Sequence, residues 1–357
     1  MKRTKNQSKN LSFSFYDVER RTKKSIFYNQ LNALINWEEV EANINKYYKK
    51  GDSAVGEKPY NGLLLFKMLL VGVWNNLSDV QLEEHLNDSL SAMKFCGMQL
   101  EDNVPDHSTI SRFRQLLSKS NALDFLLSNL NEQLTRHQLI LKTGVKVDAS
   151  LTESPFRPKK KATYEIAIDR KEDEVSEEQK KLQTTTLKKI ESNGVDKQAR
   201  YLSKRGKAIF GYKKHHATDD NGIILAVHTT TANEHDSKGL KSLLKKVKRK
   251  YKKKGVFTDK GYKVPNNDSY LKQEKIKNRI QYKAYRNRPL TKWQLRFNKA
   301  IAETRWVVER TFGGLKRWFD SGTTRFKGKQ QTHALHVLEA IAYNLKRSPN
   351  LVFLMNK

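Results

Sequence analysis

The chain has 357 residues, enough for two domains, and its hydrophobic share of 37% and aromatic share of 10% are those of a folded protein, which excludes wholesale disorder. Its 69 Lys and Arg against 38 Asp and Glu leave a formal charge of +31, so a polyanionic partner is favoured and nucleic acid leads. The longest apolar run, residues 63–73, is 11 residues long and broken by Lys67, short of the about 20 that span a bilayer, while a lone cysteine, Cys96, excludes an intrachain disulfide and fits a reducing cytosolic or nucleoid setting.

Residues 1–140 read as a small all-α domain, because leucines and aromatics recur there at three- and four-residue steps. Ser78 with Gln81 makes a capping-box pattern ahead of a helix over 80–86, and Pro105-Asp106 precedes a second over 108–117, carrying Ile110, Phe113, Leu116 and Leu117. Two helices joined by a loop fit a DNA-reading helix-turn-helix or any bundle, and the bundle is the simpler reading. From 141 to 350 the period changes to that of an α/β domain. Residues 143–148 are a short β-like run, and 208–217 and 222–232 flank Asp219-Asp220-Asn221-Gly222, a hairpin turn. Between the first two strands, about 155–207 forms a charged insertion, read as an exposed excursion with some helix, partly disordered until DNA binds.

Leu240, Leu243, Leu244, Val247 and Tyr251 then fall on one face of a helix whose other face is almost all lysine. Residues 255–259 predict a strand, 277–285 a fifth, and 295–319 a long helix with Ile301, Val308, Phe312, Leu315 and Phe319 as its stripe. A hairpin supplies antiparallel pairing and a crossover helix parallel pairing, so the sheet is mixed and flanked by helices.

Two acids end predicted strands, where sites form in open α/β sheets: Asp148 after Val145-Lys146-Val147, and Asp259 after Val256-Phe257-Thr258 and just before Gly261. Each alone could equally cap a turn. A third acid, Glu309, shares nearly one line of its helix with Arg305 and Lys316, at 100° per residue. Three carboxylates beside cations suit Mg²⁺, as two ions about 3.5–4 Å apart serving a phosphodiester displacement. No HExxH or cysteine cluster offers a zinc site, His333 and His336 read as ordinary helix residues, and no GxxxxGK[ST] segment indicates a nucleotide cofactor. Residues 238–254 hold ten Lys or Arg and no acid, among them Lys245, Lys246, Lys248 and Arg249, which reads as a phosphate-tracking surface. Strand alternation puts Lys213 and His215 on one face, and Lys214 and His216 on the other. Trp293, Trp306 and Trp318 read as core, with base stacking the lesser alternative.

Local words sharpen this: Pro105-Asp106-His107-Ser108-Thr109 with Arg112-Phe113-Arg114, Val147-Asp148-Ala149, Asp196 with Ala199-Arg200, and Phe210-Gly211-Tyr212-Lys213 with His215. They continue with Ala232-Asn233-Glu234-His235-Asp236-Ser237 and Asp259-Lys260-Gly261-Tyr262. Over about residues 37–346 the sequence resembles DDE transposases of the insertion-sequence-five group, whose core is ribonuclease-H-like. The resemblance implies an α/β ribonuclease-H-like mixed sheet preceded by an all-α domain that binds DNA ends or pairs subunits. It makes Asp148, Asp259 and Glu309 the catalytic, metal-binding triad for Mg²⁺, with Mn²⁺ able to substitute. Arg305 and Lys316 would hold phosphates, joined as DNA contacts by Lys213, Lys245, Lys246, Lys248, Arg249, Arg112 and Arg114. Arg305, Glu309 and Lys316 match a Y-x2-R-x3-E-x6-K signature whose tyrosine position is Ala302 here.

The implied activity is hydrolysis that frees a 3′-OH at the element's end, followed by attack of that hydroxyl on a target phosphodiester. The implied partners are double-stranded DNA, as terminal inverted repeats and target, and further copies of the chain in a homodimer or larger assembly on DNA, with no membrane and no nucleotide cofactor. A structure-selective nuclease on the same core, or a non-catalytic DNA-binding transposase descendant, fits the same residues.

Overall fold

The computed structural model describes residues 22–49, 58–158, 163–168, 185–190, 194–204, 206–252 and 254–355. Helices come first: α1 (Lys23–Leu34), α2 (Trp37–Ile44), α3 (Gly62–Asn75), α4 (Asp79–Asp88), α5 (Leu90–Cys96), α6 (His107–Lys119) and α7 (Ala122–Arg136). Helix α3 starts where the Asn61 side chain accepts from the Leu63 and Leu64 amides. It is apolar nearly all round and therefore buried on all sides. Even Lys67 is buried there, with its ammonium 4.5 Å from the Trp37 ring centroid and 4.9 Å from that of Phe95, and burial pulls its pKa down to about 8. The Ser78–Gln81 capping box opens α4 and the Asp106 carboxylate opens α6, both as the sequence predicts.

The strands are β1 (Val145–Glu153), β2 (Thr163–Ile168), β3 (Thr185–Ile190), β4 (Arg200–Lys204), β5 (Lys207–Thr218), β6 (Ile224–Thr231), β7 (Val256–Thr258) and β8 (Asn278–Ile280). Strand β1 pairs antiparallel with β5 and parallel with β7, and β8 extends the parallel side, so the sheet is mixed as predicted. Strand β4 pairs with the first half of β5 and β6 with the second, β5 and β6 being joined through Gly222, whose φ of +78° glycine adopts freely. Three expectations need correction. Strand β1 continues five residues past Asp148, because β5 pairs with it as far as Glu153, so this aspartate lies within a strand and not at its end. The predicted fifth strand contracts to Asn278–Ile280. The insertion's described part is strand, with no helix among its described residues: β2 and β3 form their own antiparallel pair, since Thr163–Ile168 and Thr185–Ile190 are rich in β-branched residues. For residues 159–162, 169–184, 191–193 and 205 the expectation of disorder lies outside the described residues.

Helix α8 (Asp236–Lys246) follows β6, and the single lysine-faced helix of the sequence reading breaks at Val247, resuming as α9 (Arg249–Lys252). Its five predicted apolar residues, Leu240 through Tyr251, are all buried. A 3-10 turn (Lys260–Tyr262) and α10 (Pro265–Gln273) link β7 to β8, then come α11 (Lys292–Phe319) and α12 (Lys329–Met355). Helix α11 packs on β1 and β7, while α12 packs on β6 and also on α1, α3, α6 and α7. One buried apolar cluster therefore runs from Tyr28 to Leu351. Buried polar stitches cross it: the Trp74 indole donates to the Ala342 carbonyl at 2.9 Å, and the Asn344 amide donates to Asn131 at 3.0 Å and to the Ile224 carbonyl at 2.8 Å. Among the described residues no single helix is long and apolar enough to cross a membrane.

Candidate active site

The parallel register of β1 and β7 pairs Val145 with Val256 and Lys146 with Phe257. Asp148 and Asp259 each follow the last of these pairs by two residues, so the two aspartates lie on adjacent stretches of backbone, Asp148 within β1 and Asp259 just past the end of β7. Asp259 sits where β7 gives way to the 3-10 turn, and its Oδ1 accepts the Gly261 amide at 2.9 Å, which fixes this carboxylate at the strand's exit. Helix α11 supplies the third side. Arg305, buried, brings Nη2 to 3.4 Å from Asp148 Oδ1 and 3.8 Å from Glu309 Oε1, so one guanidinium is shared by two carboxylates. Burial pushes the Asp148 carboxyl up to about 6; the Arg305 charge opposes that rise, and the Asp259 and Glu309 charges add to it. Asp148 thus feels both other acids in a desolvated corner. Among the described residues no three acidic, His or Cys side chains stand close enough to share a metal ion, and the cation between Asp148 and Glu309 is Arg305. Lys316 lies two turns beyond Glu309 and is exposed.

The supporting layer follows the strand alternation. Asp148 pairs across β5 with His216, whose ring stacks on Phe312 of α11 with centroids 4.5 Å apart. Both His216 nitrogens and Arg305 Nε are buried without a partner among the described residues. On the opposite face His215 lies 3.3 Å from the Tyr262 hydroxyl and 2.9 Å from Thr230 Oγ1, and burial drags its pKa down to about 4, so it is neutral at pH 7. Gly239 of α8 presses on that ring: a Cβ there would lie 2.8 Å from His215 Cε1. Gly239→Ala is therefore expected to cost about 1–3 kcal/mol by overpacking. Gly313→Ala, in open space on α11, is expected to be neutral or to gain up to about 1 kcal/mol from helix propensity. Urea unfolding of the two variants checks the opposite signs.

Residues 160–345 match the transposase DDE domain family, and residues 16–116 match a transposase domain (DUF772). The transposase for insertion sequence element IS1106 of Neisseria meningitidis serogroup B is 34% identical over 241 residues, which is 67% of this chain and 77% of that one. The chain belongs to the DDE transposase family. No solved structure matches it. Membership makes this a DNA-acting transposition enzyme of a family that uses a divalent metal. Asp259 and Glu309 fall inside the matched DDE range, whereas Asp148 precedes it.

Several basic residues of the transposase are committed elsewhere. Arg114 is buried, grips both oxygens of Asp79 and lies 4.6 Å from the Phe326 ring centroid, so it fastens α6 to α4 and does not present itself to DNA. Lys213 is also buried, bonded at 2.9 Å to Asp236 in the first turn of α8 and at 2.6 Å to the Glu234 carbonyl. Lys246 pairs with Asp124 and Lys248 with Glu132, both on α7, which corrects the expectation of a lysine surface without acidic partners. Lys245 and Arg249 stay exposed with no ion pair among the described residues. Arg112 is exposed and bonds Ser108 one turn back. His333 and His336 are structural, both bonded to Thr229. Trp318 stacks on Tyr343, but Trp293 and Trp306 are 60% and 52% exposed, against the expectation of core. Sequence reading missed the buried Lys214–Glu339 pair and the His215–Tyr262 contact; the Asp-Lys-Gly-Tyr word was the available signal for the second.

Proposed function

We propose that this transposase cuts DNA at the ends of its element and joins the freed 3′-OH to target DNA in a Mg²⁺-dependent reaction, with Asp148, Asp259 and Glu309 as the metal ligands. The observation that carries the reading is Asp148: a carboxylate held within the sheet, with Asp259 just past the end of the neighbouring strand and Glu309 tied to it through Arg305 on the packed helix. The donor chemistry suits a hard divalent cation, since all three candidates offer carboxylate oxygens; they stand too far apart here to share one, so binding a metal requires Arg305 to give up its place between Asp148 and Glu309 and the acids to draw together. Bound there, Mg²⁺, as one or two ions with Mn²⁺ able to replace it, supplies electrophilic activation of the phosphodiester and of the attacking oxygen. Arg305, with its buried unpartnered Nε, and exposed Lys316 then serve to hold phosphate oxygens. The all-α region of residues 1–140 binds element ends or pairs subunits ahead of the catalytic domain at 141–350, and two ends imply a dimer or larger assembly on DNA. The setting is the bacterial nucleoid.

The test is incubation of labelled inverted-repeat ends with a plasmid target. Mg²⁺ is expected to give cleaved ends and joined products, and Ca²⁺ to give binding with little product. Cleavage without joining points to a nuclease on the same core, and binding without either points to a non-catalytic descendant; both overturn the proposal.

A further inference from the structure

Away from the carboxylate corner, β4 and the first half of β5 form a two-stranded ribbon, in register from Arg200 opposite Gly211 to Lys204 opposite Lys207. Over residues 207–210, β5 pairs with β4 and with no other strand among those described, whereas from Gly211 onward it lies between neighbours, so the ribbon runs past the body of the sheet. It is held together at its base, where the Tyr201 ring packs on Phe210 with centroids 4.8 Å apart. Most of its side chains are exposed, and Tyr201 itself is 50% exposed.

Its charge is one-sided. From residue 197 to residue 218 the sequence contains no Asp or Glu, and neither Lys204 nor Lys207 has an acidic partner among the described residues. These two lysines face each other directly across the ribbon, a like-charge pair that destabilises an antiparallel ladder unless an anion meets it. That separates them from the lysines of α8 and α9, several of which α7 neutralises.

Distance supplies the second argument. His216, the partner of Asp148, and Lys207 lie nine residues apart on the same strand, about 30 Å at about 3.3 Å per residue. One turn of B-DNA is about 34 Å. We propose that the ribbon grips the backbone of duplex DNA about one helical turn from the phosphodiester held at Asp148. The spacing rests on the proposed role of the carboxylate site, while the choice of DNA as ligand rests also on charge.

Two measurements test it on the full-length chain. With a 40-bp duplex and no divalent metal, fluorescence anisotropy across a KCl series should show the log–log salt slope falling by about 2 for Lys204→Ala/Lys207→Ala, one per phosphate contact. Lys204→Glu/Lys207→Glu should weaken binding at least tenfold at 100 mM salt. An unchanged slope overturns the proposal, whether or not the protein cuts DNA; a reduced slope in a protein that cuts none upholds the contact and sinks the transposition chemistry instead. For the spacing, Cys96 is buried, so Lys207→Cys gives one accessible thiol for an iron-EDTA tether. On a duplex carrying an element end, radical cuts centred about 10 bp from the cleaved phosphate are expected, and cuts centred at that phosphate, or none, overturn the placement.

Discussion

Glu309→Gln is expected to lower end cleavage and strand transfer about a thousandfold or more, equivalent to about 4 kcal/mol of transition-state stabilisation, while leaving the fold intact. The amide keeps the length and shape of the side chain and removes its charge, so the loss isolates what the carboxylate does for a cation. Glu309 suits this test better than Asp148 or Asp259. Its side chain is 62% exposed and its ion pair is the long 3.8 Å contact to Arg305, a pair of the kind that contributes well under about 1 kcal/mol. Asp259 in contrast caps the 3-10 turn, and Asp148 is clasped by Arg305, so their replacement mixes folding with chemistry. DNA affinity of Glu309→Gln should be equal or slightly raised, because a negative charge leaves a phosphate-facing surface. Single-turnover cleavage of labelled ends, with urea unfolding as the control, is the measurement. Cleavage within tenfold of the parent removes Glu309 from the metal site.

The largest stability effect is expected from Glu339→Ala, about 3–5 kcal/mol. Lys214 on β5 is fully buried, donating to Glu339 Oε2 at 3.0 Å and to the Ser321 carbonyl, and Glu339 on α12 is almost as buried. Burial drives the Lys214 pKa down and the Glu339 pKa up, each opposed by the partner's charge. Removing one member leaves the other charged and desolvated, which costs far more than the pair contributes. Lys214→Met should be destabilising by a comparable amount, and the double variant Lys214→Met/Glu339→Leu should recover most of the loss, because two apolar groups of similar volume need no compensation. The urea midpoints of the four proteins form a thermodynamic cycle. Additive losses, or a loss below about 1 kcal/mol for Glu339→Ala, contradict this account. The Ser321 carbonyl belongs to the turn joining α11 to α12, so the ammonium also fastens the end of the helix that carries Glu309.

Much of this arrangement is legible along the chain. The change of period near residue 141, the hairpin turn at 219–222 and the apolar stripe of α11 yield the mixed sheet and its helices, because each depends on neighbours a few residues away. Asp259 announces itself by the strand before it and the glycine after it. The end of β1 does not, since its extension past Asp148 is imposed by β5, more than fifty residues later. The fate of the lysines hides for the same reason: Glu132 precedes Lys248 by over a hundred positions and meets it only across packed helices. Trp306 is a different case, because it lies 200° round the helix from Val308 and its exposure follows from the stripe already counted. The Lys214–Glu339 pair has no local signature, because each residue alone looks like a surface charge.

Helix α12 fills the space between α1, α3, α6 and α7. During synthesis these early helices leave the ribosome with their shared apolar groove open, and it stays open until the 27 residues of α12 have been made. A prematurely terminated product therefore exposes Leu69 and Trp74, which α12 otherwise covers, to chaperones and proteases.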